Sequence, residues 1–232
     1  MGLVINENDR ILIVSPHPDD ESIGCGGVMS LYRGHCDVLL ATDGFRKDLD
    51  NKEVSKKRVN EFVNATDYLG VNKRIFLHIP EGEILSRYSD FQKIDFLKYK
   101  YIFIPNRFEA HKDHADLYKV MRKALRNQRF SGNILEYEVW TTIRQPNEKI
   151  DISSVVDDKK KAIKLHESQI KDLDYVGMMI GLNAYRGKGH GCDYAEVFYS
   201  EKTAKNKNRR RRKWQNFIFV MALWDQVKRQ TL

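Results

Sequence analysis

Four consecutive aliphatic residues, Ile11-Leu12-Ile13-Val14, run directly into Ser15-Pro16-His17-Pro18-Asp19-Asp20-Glu21. Three of the four are β-branched, and a short run that is apolar on both faces has the character of a strand buried inside a parallel sheet. Ligands of open α/β sheets sit just beyond the carboxyl ends of such strands. Carboxylates and an imidazole packed into that turn are costly to bury unless a cation neutralises them. The turn therefore reads as a metal site at a strand end, with Gly24-Cys25-Gly26-Gly27 following it.

Further strand-like runs lie at Asp37 to Ala41, Ile75 to Ile79, Tyr101 to Ile104, Ile134 to Thr142 and Tyr194 to Tyr199. Helix-length segments separate the first four, which is the βαβ alternation of an α/β fold with a mostly parallel, Rossmann-like three-layer arrangement. Val54 to Leu69, stopping at Gly70, reads as one helix. Asp116 to Arg126 reads as another, with Leu117, Val120, Met121 and Leu125 on its apolar face, and a third is expected from Lys159 to Ile170. The stretch from 172 to 193 is rich in Gly, Met and Tyr and reads as irregular, either a surface excursion or a lid.

At 232 residues the chain suffices for one sizeable domain and a short appendage. Its net charge of +8 is local: residues 201–232 hold 10 Lys/Arg and 2 Asp/Glu, so residues 1–200 hold 30 of each and balance. The expected division is thus a neutral body, 1–200, and a basic, apolar extension, 201–232. A neutral body argues against a nucleic-acid partner. Three cysteines without CxxC spacing fit reduced thiols, and the amino terminus lacks the pattern of a secretory signal, so a cytoplasmic location is expected. In the extension, Arg209 to Lys213 and Trp214 precede eight apolar residues, Phe217 to Trp224. That run is shorter than the roughly 20 residues a spanning helix needs. A C-terminal helix is expected there, packed on its own body, joined to a second copy in a homo-oligomer, or held peripherally on the inner membrane face.

A second cluster, Glu109-Ala110-His111-Lys112-Asp113-His114, follows the run Tyr101 to Pro105. If its strand neighbours the first, both clusters emerge at one sheet edge. A His, a carboxylate and a second His make a three-ligand set with an open position, which suits a hydrolytic Zn²⁺ site. One of Asp19 and Asp20 then faces the metal while the other serves as general base, and one of His111 and His114 ligates while the other stabilises an oxyanion. Spacing leaves both choices open. Each motif by itself is common as a polar loop or solvated helix face; their pairing after two strands is the stronger signal.

These residues resemble the PIG-L or LmbE-like zinc-dependent N-deacetylases, which act on N-acetylglucosamine conjugates. His17-Pro18-Asp19-Asp20-Glu21 with Gly26-Gly27 is similar to the first signature of that family, and His111-Lys112-Asp113-His114 to the second. Thr42-Asp43-Gly44, Arg58 through Glu61 ahead of Leu69-Gly70, Tyr137 to Trp140, Lys161 with His166, Ser168 and Gln169, and Arg186 to Phe198 extend the resemblance over roughly positions 10 to 200. The resemblance implies that His17, Asp20 and His114 bind the metal, Zn²⁺ or Fe²⁺, and that Asp19 is the general base. It implies that His111, held by Asp113, stabilises the oxyanion, and that Arg58, Glu81 and Tyr194 contact the substrate, a small or lipid-linked amino sugar that loses acetate. Arg58 has a competing role as an ion-pair partner of Glu61 on the helix surface. Lys112 stands where the family often has Pro, and Phe45 where a polar residue is common, which makes the pocket entrance more apolar. Two rival readings are a phosphoesterase, whose sites usually hold two metals, and a non-catalytic binding module with a basic arm.

Overall fold

The computed structural model describes residues 3, 5, 6, 8–171 and 173–202. The expected C-terminal helix, its membrane or oligomer contacts, and nearly all of the 201–232 extension fall outside the described residues. Among the described residues no helix is long and apolar enough to cross a membrane.

Five parallel strands form the central sheet: β1 (Ile11–Ser15), β2 (Cys36–Thr42), β3 (Lys73–Ile79), β4 (Tyr101–Pro105) and β5 (Asn133–Tyr137), in the order β3-β2-β1-β4-β5. Among the described residues six α-helices accompany them: α1 (Asp20–Leu31), α2 (Lys52–Tyr68), α3 (Tyr88–Gln92), α4 (Lys112–Asn127), α5 (Val156–Lys164) and α6 (Tyr175–Lys188). A small antiparallel pair, β6 (Glu148–Asp151) and β7 (Ala195–Phe198), completes the fold and touches β5 through a Glu136–Tyr199 bridge.

The pleat of β1 sorts its side chains into two cores. Ile11 and Ile13 enter a cluster with Ile23 and Val28 of α1, Phe62 of α2 and Ile163 of α5. Leu12 and Val14 enter another with Phe91 of α3 and Leu117, Val120, Met121 and Leu125 of α4. Alternate residues thus bind opposite helix layers, which is the three-layer architecture expected from the run's two-sided apolarity. Because β1 lies between β2 and β4, the chain leaves β1 toward one layer and β4 toward the other. That topological switch point opens a crevice at the carboxyl ends of both strands.

Several elements differ from their sequence reading, among them the helix expected from Lys159 to Ile170, which is α5 and runs from Val156 to Lys164. The Gly-containing stretch after Asp19 forms α1, interrupted at Cys25, where φ is −136°. Gly24 is obligatory there, since a Cβ would sit 2.3 Å from the Tyr137 ring. The helix restarts with its Gly27 and Val28 N–H groups donating to the Glu196 carboxylate at 2.8 and 2.9 Å. Strand β5 stops at Tyr137, five residues short, because the following loop is drawn away by side-chain contacts described below. The 172–193 stretch contains α6, started by the Asp174 carboxylate accepting from Gly177 N–H at 2.8 Å. The polar β6 carries too little apolar signal to stand out.

Behind α1, Lys159 donates to Glu196 at 2.7 Å, with both side chains at most 2% exposed. A paired buried charge is costly to orphan. Lys159→Met is therefore expected to lower the unfolding free energy by about 3 kcal/mol in urea titrations, and the loss should appear without any change in the far-ultraviolet spectrum of the folded state.

Candidate metal and catalytic site

Both predicted clusters meet in the crevice between β1 and β4. The first begins at Ser15, whose hydroxyl donates to the His17 carbonyl at 2.8 Å and turns the chain back. Asp19 is the N-cap of α1 and Asp20 its first residue, so two adjacent carboxylates receive different surroundings. Asp19 adopts φ +141°, a conformation costing roughly 1–3 kcal/mol unless the surroundings enforce it. Glu21 enforces it: its carboxylate accepts from Asp19 N–H at 3.1 Å, from the hydroxyls of Ser15 and Ser22, and lies 3.2 Å from His166 Nε2.

Asp20 is the hub. Its Oδ2 lies 3.2 Å from His17 Nδ1 and 3.1 Å from His114 Nε2, with all three residues buried. Two atoms bound to one ion at about 2.1 Å, with angles of 90–109° between them, stand about 3.0–3.4 Å apart. Neither ring nitrogen of His114 has an aligned hydrogen-bond partner among the described residues, although both are buried. His17 Nδ1 is hydrogen-bonded to Asp20, whereas His114 Nε2 and Asp20 Oδ2 are close yet unaligned, an arrangement that a shared cation would satisfy. The predicted set His17, Asp20 and His114 therefore fits a metal. A second grouping, His17, His111 and His114, also brings its ligand atoms within 4.8 Å of one another.

Both histidines of the set have a carboxylate neighbour, hydrogen-bonded in the case of His17. Asp113 Oδ2 stands 3.1 Å from His17 Nε2, which leaves Nδ1 facing Asp20. The Asp113 carboxylate also accepts from Gly82 N–H at 2.9 Å. Here the structure departs from the sequence expectation: the carboxylate assigned to holding His111 bonds to His17, and Asp113 reaches His111 through its backbone N–H, which donates to His111 Nδ1 at 3.2 Å. The reason is helix geometry, since His111 is the N-cap of α4 and Asp113 its second residue. With Nδ1 accepting, the neutral ring carries its proton on Nε2, and the exposed His111 presents a donor to the crevice. Glu109 backs His114, its Oε2 at 3.8 Å from Nδ1. Glu109 was not singled out as a site residue from the sequence, although it opens the second cluster.

Charge follows this geometry. Burial opposes the charged form of His17, but the bonds to Asp113 and Asp20 outweigh it and raise the ring to about 10. Burial also opposes ionisation of Asp20, which His114 and His17 overcome, holding it well below the usual carboxylate range. Asp19 goes the other way: burial and then the Asp20 charge push it up to about 7, against Arg58. Burial, followed by the His17 and His114 charges, lowers His111.

Arg58 and Glu81 form the rim. Arg58 Nη1 donates to Glu81 at 3.3 Å and Nη2 lies 3.7 Å from Asp19 Oδ2. Glu61 instead serves Ser168 and Lys57, so the helix-surface pair does not form. Gly44, at φ +74°, makes room: a Cβ there would stand 2.7 Å from Arg58 Nη1. Tyr194 is placed elsewhere. Its amide and carbonyl bond to Ser153 and Ile152, and its ring lies beneath Lys160, so the structure does not bring it to the crevice. The alternating strand it was read from begins one residue later and sends Glu196, not Tyr194, toward α1.

The family model described as PIG-L, GlcNAc-PI de-N-acetylase, matches residues 12–125, the span holding both clusters. The chain is 26% identical over 220 residues to a diacetylchitobiose deacetylase of Thermococcus kodakarensis, covering 82% of each chain. Over 89 residues it is 38% identical to a 1D-myo-inositol 2-acetamido-2-deoxy-alpha-D-glucopyranoside deacetylase of Kineococcus radiotolerans, covering 34% of this chain and 25% of that one. Its fold superposes on the N,N'-diacetylchitobiose deacetylase of Pyrococcus horikoshii with a TM-score of 0.71 and 24% identity, covering 84% and 85% of the two chains.

Two outcomes are expected of this geometry. Glu109→Gln and Asp113→Asn should each weaken Zn²⁺ binding about 10–100-fold in chelator competition. In metal-stripped protein, Asp19 binds its proton more tightly folded than unfolded, so its contribution to stability falls as pH rises from about 4 through about 7. Asp19→Asn should thus be more stable than wild type at pH 8 in urea titrations, and the difference should vanish below pH 4.

Proposed function

The chain belongs to the PIG-L family, and from that premise we propose that it is a metal-dependent amidohydrolase that removes the N-acetyl group from an N-acetylglucosamine-type sugar, releasing acetate. The observation that carries this reading is the convergence of His17 Nδ1, Asp20 Oδ2 and His114 Nε2 beside one free carboxylate, Asp19, and one imidazole donor, His111. A divalent cation, Zn²⁺ or Fe²⁺, when held by these three residues supplies Lewis acidity and eases deprotonation of water.

The other steps fall to the chain's own groups. Asp19 does not cap its helix through its side chain, so its carboxylate is free to accept a proton from the attacking water. The same carboxyl, once protonated, stands where it can return that proton to the departing amine. His111 Nε2–H donates to the acetamide oxygen as negative charge develops there. Arg58 lies beside Asp19 and restrains Glu81, whose remaining acceptor capacity suits sugar hydroxyls. Among the described residues the candidate metal-ligating histidines fall in a single group, which favours this chemistry over a two-metal phosphoesterase. The intact base and donor positions favour it over a passive binding module. We further propose that residues 1–200 form the catalytic domain and that the basic extension is an appended arm.

An acetate-release screen over N-acetylglucosamine conjugates tests the reading. Asp19→Asn is expected to lower kcat/KM about 10²–10⁴-fold and His111→Ala about 10²–10³-fold, while chelation abolishes turnover and added Zn²⁺ restores it. Two equivalents of metal per chain together with phosphate-ester hydrolysis would favour the rival enzyme.

A further inference from the structure

Trp140 stands on the loop after β5, at the sheet edge that carries the crevice, and is 45% exposed. Its chain neighbours are fixed. Val139 and Thr141 both donate their N–H groups to Glu109 Oε1, at 3.1 and 3.2 Å, and the Thr141 carbonyl accepts from Asn106 Nδ2 at 2.7 Å. The Thr141 hydroxyl accepts from Ala110 N–H at 3.2 Å. Arg186 of α6 bonds to Glu138 at 2.5 Å and to the Ile143 carbonyl at 2.9 Å. The loop is thus built onto the segment that bears His111 and His114, and it holds a large apolar side chain out toward solvent.

Tyr175, the first residue of α6, meets the indole edge to face, with ring centroids 5.5 Å apart and planes at 63°. The Asp174 cap fixes where that helix starts. Tyr175 also packs against the core cluster that holds Tyr137 and Val139, the residues that lead into the Trp140 loop. The aromatic pair thus stands where Glu109 and Ala110 tie the Trp140 loop to the start of the His111–His114 segment, at the carboxyl end of β5. Their border is polar, with Thr141, the exposed Thr142 and the Glu138–Arg186 pair.

We propose that Trp140 and Tyr175 form a subsite that stacks the ring attached to the amino sugar, and that this ring is a pyranose, so that the substrate is a glycan of at least two sugar units. A pyranose chair presents an apolar face of axial C–H groups and a rim of hydroxyls. A preorganised indole covers such a face at little entropic cost, and tyrosine adds a hydroxyl for the rim. A lipid chain would call for an extended apolar channel, whereas the loop that carries Trp140 sets Thr141, Thr142 and the Glu138–Arg186 ion pair beside the indole. The inference deepens the deacetylase reading and rests on it for the position of the first sugar.

The test compares wild type with Trp140→Ala and Trp140→Phe. Acetate release is measured on N-acetylglucosamine and on N,N'-diacetylchitobiose, and the two-ring amine product, chitobiose, is titrated by calorimetry. Trp140→Ala should lower two-ring kcat/KM and weaken chitobiose binding about tenfold, leave one-ring kcat/KM within about twofold, and be largely rescued in Trp140→Phe. Equal losses on both substrates, or no loss on either, overturn the subsite, as does a wild-type protein that does not bind chitobiose. Calorimetry needs no turnover: chitobiose binding that depends on Trp140 in a protein that releases no acetate sustains the subsite and refutes the deacetylase reading instead.

Discussion

Everything at the crevice depends on one electrostatic problem, which is how to bury Asp19, Asp20, Glu21, His17 and His114 within two turns of chain. Such groups are tolerated in a low dielectric only when each charge meets an opposite charge or a donor. Asp20 answers by standing between two imidazoles, and its place in the first turn of α1 adds the favourable end of the helix dipole. Glu21 answers with His166, two hydroxyls and a backbone amide. Asp19 faces a guanidinium at 3.7 Å instead, and the proposed general-base role rests on that difference.

The surrounding fold keeps this arrangement rigid. The two clusters leave adjacent parallel strands at the switch point, and each proposed histidine ligand faces a carboxylate from the opposite cluster or its own loop: Asp113, hydrogen-bonded to His17, and Glu109, 3.8 Å from His114. Glu109 has a second duty, since its other oxygen holds the loop carrying Trp140. One carboxylate thus stands between His114 and the loop that carries Trp140.

Much of this was legible in the chain alone. The two-sided apolarity of Ile11 to Val14 marks a central strand, and the 3.6-residue spacing of Leu117, Val120, Met121 and Leu125 marks the buried face of α4, because both patterns are imposed by regular backbone geometry. Helix α1 was hidden, since its glycines are dictated by contacts with Tyr137 and Ile152, distant in sequence. Helix α6 was hidden for a related reason: Gly187 is there because a Cβ would strike the Asp193 backbone. The partner of Asp113 could not be read either, because spacing within a cluster does not reveal which strand end lies across from it. Tyr194 misled because strand alternation records two faces of a sheet and not which of them reaches a site.

The central claim is that His17, Asp20 and His114 are the atoms that hold a cation. A crystal of the zinc-loaded protein, with anomalous difference density measured at the zinc edge, tests it most directly. The account predicts one peak within about 2.2 Å of His17 Nδ1, Asp20 Oδ2 and His114 Nε2, with His111 Nε2 unligated and facing the open side. A peak coordinated by His17, His111 and His114 without Asp20, or no peak in the crevice, would contradict it.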